Sequence, residues 1–76
     1  MSAVARRRPN PTRSQFHGAL KAHTSELRDS GMIHSEITAR RAMFAAFWFI
    51  ENVTDDDPAR VDLFFKVREL VREARQ

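Results

Sequence analysis

SEITARRAMFAAFWFIENV, residues 35–53, is the stretch whose reading decides the fold. It holds neither proline nor glycine, and its four alanines are strong helix formers. Ser35 stands where an N-cap belongs, and Glu36 follows in the first turn, where a carboxylate meets the positive end of the helix dipole. The pattern predicts a helix over 35–52. At about 100° per residue, Ala39, Ala42, Met43, Ala46, Phe49, Ile50 and Val53 share one face without a charge. A second, opposite face carries Ile37, Phe44, Phe47 and Trp48, mixed with Arg40, Arg41 and Glu51. A helix apolar on both sides is either enclosed in a large core or bridges two packing partners.

The flanks show what those partners are. Upstream, Gly31 supplies a left-handed stop to a helix that begins near Pro11 and is capped by Asn10 or Thr12. Its apolar residues Phe16, Leu20, His23 and Leu27 make one narrow stripe, widened by Ala19. Downstream, the turn Thr54-Asp55-Asp56-Asp57-Pro58 ends the second helix. Asp57 is placed to cap a third helix with Pro58 in its first position. That helix carries a charge-free stripe of Leu63, Phe64, Val67, Leu70, Val71 and Ala74. Val61 and Phe65 lie off the stripe, beside Arg68 and Arg72. No segment alternates as a strand. The expected fold is all-α: a three-helix bundle with helices at about 11–29, 35–52 and 57–75. A disordered basic arm, MSAVARRRPN over 1–10, precedes the helical domain 11–76.

Composition narrows the class further. A chain of 76 residues suits one domain, and a domain of this size buries only about 60% of its unfolded surface. The absence of cysteine removes disulfides and thiolate metal sites and fits a reducing, cytoplasmic setting. The longest apolar run, 42–50, falls short of the ~18 residues a membrane span requires. The basic N-terminus runs into polar sequence rather than an apolar segment, unlike a secretory signal. Net charge is +3, which Arg6, Arg7 and Arg8 supply in full, so the body is near neutral. Eleven arginines stand against two lysines. Guanidinium groups are planar, forked donors suited to carboxylates, phosphates and aromatic faces.

Catalytic and metal-binding patterns are missing. His17 and His23 are six residues apart and fall on different helix faces, which does not suit a shared metal ion. His23 reads as a core histidine bonded to a carbonyl, and His34 as a loop residue. The serines sit in no nucleophile elbow, and two glycines cannot build a phosphate-cradling loop. Asp55, Asp56 and Asp57 lack the alternation, mid-loop glycine and distal glutamate of a calcium loop and read as a helix cap. Glu69 and Glu73, among Arg68, Arg72 and Arg75, read as a solvated face of helical ion pairs. The sequence thus predicts no enzyme, cofactor, metal site or small-molecule substrate.

Two binding functions follow. In the first, the chain is a regulatory or adaptor protein that docks another protein or a second copy of itself, most simply about a two-fold axis. Phe44, Phe47, Trp48 and Phe65 would be the anchors and Arg40 and Arg41 the rim, the aromatic–arginine mixture typical of interface hot spots. In the second, it is a small DNA-binding regulator. Arg6, Arg7, Arg8 and Arg13, with Arg40 and Arg41, would then contact phosphates. A helix-turn-helix fits residues 27–37 poorly, because Arg40 would take a position that is normally buried and the recognition helix would be the most apolar in the chain.

Overall fold

A computed structural model describes residues 11–76. The arm expected over 1–10, with Arg6, Arg7, Arg8 and Asn10, lies outside the described residues. The fold is an all-α three-helix bundle: α1 (Pro11–Asp29), α2 (His34–Asn52) and α3 (Arg60–Ala74).

Gly31 reverses the chain between α1 and α2. Its φ of 80° is the left-handed value that a residue bearing a Cβ disfavours. The Gly31 N–H donates to the Arg28 carbonyl at 3.0 Å and the Met32 N–H to the Leu27 carbonyl at 3.4 Å. These are the paired bonds of a Schellman ending. Ser35 does not cap α2, as its position had suggested. Helix geometry resumes at His34, with Ile33 as N-cap and no side-chain cap bond. The chain has already reversed by Met32, so Ser35 falls inside the first turn. Met32 and Ile37 hold the positions of a hydrophobic staple, one half-buried and the other buried.

The acidic turn is also built differently from expectation. Asp57 does not cap α3, whose N-cap is Ala59 without a side-chain cap bond: the Asp57 carboxylate accepts the Ala59 N–H at 2.8 Å and its carbonyl accepts the Arg60 N–H at 3.0 Å, which closes a turn ahead of the helix. Pro58 and Ala59 therefore form a separate turn, and α3 begins at Arg60 rather than at 57. Val53 and Ala59, at the two ends of this connection, are both buried, which fixes the turn to the core. Within it the Thr54 hydroxyl donates to the Asp56 carboxylate at 2.6 Å. That bond, with a backbone one, holds the Asp56 carboxyl below its ordinary value.

The core forms around α2, which packs against both other helices. Phe16 and Leu20 of α1, Ala42 and Ala45 of α2, and Leu63 and Leu70 of α3 join Val53 and Ala59 in one buried cluster. The alanines let both neighbours come close. Trp48 meets Phe16 edge-on at 5.5 Å, and Phe44 stacks on His23 at 4.4 Å, so both aromatics serve the α1–α2 contact. His23 thus rests on a phenyl ring, with Nδ1 3.8 Å from the Glu26 carboxylate, rather than on a carbonyl. Arg13 of α1 donates to Asp62 of α3 and ties the outer helices together.

Two assignments of core faces change. On α2 the buried line runs through Ala45, between the two faces read from the sequence, because α1 and α3 both lean on that side. Met43 and Ile50, expected in the core, are 59% and 73% exposed. On α3 the stripe is wider than one helix can cover: Leu63 and Leu70 are buried, whereas Phe64 is exposed by half and Val71 by about a third.

Candidate docking face

The uncovered arc of α2 carries Met43, Phe47 and Ile50 at i, i+4 and i+7, a spacing that stacks them in a single strip. Phe47 is 59% exposed. By the same 100° step, Glu36, Arg40 and Glu51 fall beside them, and all three are exposed. A second aromatic group lies where α2 meets α3. Half-buried Phe49 lies 6.3 Å from Phe64 of α3, and Phe64 lies 5.9 Å from Phe65, which is also half-exposed. The Arg60 guanidinium sits 5.8 Å above the Phe49 ring, within cation–π range. Further along α3, a shallow hollow of about 680 Å³ is lined by Phe64, Val67 and Val71 together with Arg68, Arg72, Arg75 and Gln76. α2 and α3 thus each present exposed apolar side chains with arginines nearby.

The residues expected to anchor a partner divide between two surfaces. Phe47 is exposed on the outer arc of α2 and Phe65 on α3, and Arg40 is exposed beside Phe47 on the same arc of α2. Phe44 and Trp48 turn toward α1 and are mostly covered by it. Arg41, one 100° step from Arg40, points away from the face, and its Nε is sealed from solvent. Met43, Ile50 and Phe64 were missed, because their charge-free setting is also what a core stripe looks like. The signal was present in α2, which has more apolar side chains than two neighbours can cover.

Of the cations considered for phosphate contact, Arg13 is engaged by Asp62, and Arg6, Arg7 and Arg8 lie outside the described residues. Among the described residues, no group of three or more His, Asp or Glu side chains is placed to hold a metal ion, and no helix is long and apolar enough to cross a membrane.

Comparison with protein-family models, curated proteins and solved structures yields no match for this chain.

Proposed function

We propose that this chain is a non-catalytic regulatory or adaptor protein that acts through protein–protein contact, and that its α2–α3 face pairs with a second copy of itself. The observation behind this reading is the set of exposed apolar side chains, Met43, Phe47 and Ile50 on α2 and Phe64 and Phe65 on α3. Three phenyl rings left half in water contribute about 300 Å² of apolar surface, taking ~200 Å² per aromatic side chain. Met43 and Ile50 add to that. Exposed apolar surface on this scale commonly serves binding.

Charge placement favours a second copy as the occupant. Arg40 and Glu51 sit at opposite ends of the α2 strip, on the same exposed arc. In an antiparallel two-fold pairing of α2 with its copy, Phe47 lies near the axis and Met43 falls opposite Ile50. Arg40 then faces Glu51 of the second copy on both sides. A two-fold interface must be self-complementary, and this register would pair the opposite charges of the strip. Small domains also gain stability from association that their own cores cannot provide.

Sedimentation equilibrium over a range of concentrations tests the reading. A monomer–dimer equilibrium that Phe47→Glu shifts to monomer, with helicity unchanged by circular dichroism, is the expected result. A wild-type chain that stays monomeric at every concentration reached would overturn the pairing. Charge reversal adds specificity: Arg40→Glu and Glu51→Arg should each weaken the dimer, and the two together should restore it.

A further inference from the structure

On the other side of α2, a hollow of about 310 Å³ opens where α1 and α3 flank Arg41. It is at the lower end of the ~300–1,000 Å³ usual for ligand pockets, a size for a small charged group. Lys21 and Arg28 line it from α1, Arg41 from α2 and Lys66 from α3. No carboxylate lines it. The chain has only two lysines among thirteen basic residues, and both are here.

Arg41 is the most telling member. Its Nε is buried and has no hydrogen-bond partner among the described residues. A guanidinium stays charged at any ordinary pH, and a buried donor without an acceptor is costly. Glu73 lines the adjoining hollow together with Arg41, yet no ion pair within 4.0 Å joins them. Four cations from three helices therefore line one concavity, and no carboxylate stands in its wall to offset them. The hydroxyl of Thr24 is committed to the Leu20 carbonyl at 2.8 Å, and Ser25 lines the hollow beside it.

We infer that this hollow binds a multiply charged phosphoryl group, held by Lys21, Arg28, Arg41 and Lys66. A lone carboxylate carries one charge and would leave most of the cationic excess unmet. Phosphoryl oxygens match both the forked guanidinium groups and the point charges of the lysines. Two sources share that chemistry: a free oligophosphate, and the phosphodiester backbone of a nucleic acid, which supplies its charge as consecutive singly charged groups. The site is separate from the α2–α3 face, so it stands or falls independently of self-pairing.

The test is titration calorimetry on the full chain at low salt, using tripolyphosphate and, in parallel, a short DNA duplex. Saturable tripolyphosphate binding is expected, weakened at least about tenfold by Lys21→Gln with Lys66→Gln, since half of the charge-assisted contacts are removed. It should survive Arg6→Ala, Arg7→Ala and Arg8→Ala, and Glu73→Gln should tighten it. Duplex binding that falls with the same lysine pair identifies the backbone as the source; tripolyphosphate binding alone identifies a free oligophosphate. Circular dichroism checks that the lysine variant folds, and Lys21→Arg with Lys66→Arg should retain binding. The inference is overturned if neither probe binds saturably, if the lysine pair has no effect, or if binding disappears only when the arm arginines are replaced.

Discussion

Phe47 and Trp48 are adjacent in sequence and should behave as opposites. Trp48 packs edge-on against the fully buried Phe16. Truncating a buried aromatic to alanine costs about 3–5 kcal/mol, and Trp48, only partly enclosed, belongs near the lower end. A chain of this length is stable by about 4–11 kcal/mol, at ~0.05–0.15 kcal/mol per residue. Trp48→Ala should therefore remove a large share of folding stability. Phe47 is 59% exposed, which leaves about 120 Å² of a ~200 Å² side chain in water. Removing it should cost the isolated subunit only about 1 kcal/mol. In a two-fold pair, burying that area in both copies is worth up to about 6 kcal/mol at ~25 cal/mol/Å². If half of it is realised, Phe47→Ala weakens the dimer by more than about 100-fold. Urea unfolding at a dilution that keeps the chain monomeric gives the first quantity, and sedimentation equilibrium gives the second. The reasoning fails if Phe47→Ala costs the dilute monomer as much as Trp48→Ala, or if it leaves association unchanged.

Three further perturbations probe local features. Gly18→Ala should stabilise α1 by up to about 1 kcal/mol in thermal unfolding, because a Cβ there meets no atom within 4 Å and glycine is a weak helix former. Gly31→Ala should instead destabilise by about 1–2 kcal/mol in the same assay, because φ at 31 is 80° although space is open. Asp57→Ala should cost about 1 kcal/mol in urea unfolding, from loss of the bond to the Ala59 N–H. The Asp56 carboxyl is held below its ordinary value of 3.8, first by the Thr54 hydroxyl. A depressed carboxyl stabilises the fold above its unfolded value and loses that contribution as pH falls through the folded one. Any effect of this turn should therefore appear only below about pH 4. Thr54→Val should move the Asp56 titration, followed by carboxyl-carbon NMR, up toward 3.8.

The helices and their breaks were legible because the chain marks them with residues that have few alternatives. Gly31 and the Asp57-Pro58 pair can do little except end and restart a helix. The core face of α1 was legible as well: it has one apolar stripe, and Phe16, Leu20 and Leu27 had nowhere else to go. On α2 the same method could not choose a face. Periodicity shows which residues share a side, but on a helix that is apolar nearly all round it does not show where two neighbours meet. Small residues were part of the answer. Ala42 and Ala45 admit close approach and lie with Ile37 on the buried line, whereas Ala39 is exposed together with the bulkier Met43, Phe47 and Ile50. The cationic hollow was not legible, because it joins Lys21, Arg41 and Lys66 from three helices whose relative rotation no local pattern encodes.

The most direct test of self-pairing through the α2–α3 face is an isotope-filtered NOE experiment on a mixture of labelled and unlabelled chains. Cross-peaks between copies should connect Met43 and Ile50 methyl groups with Phe47 and Phe64 ring protons. A mixture that shows no intermolecular cross-peaks at dimer-forming concentration, or shows them only from residues outside this face, would contradict the account.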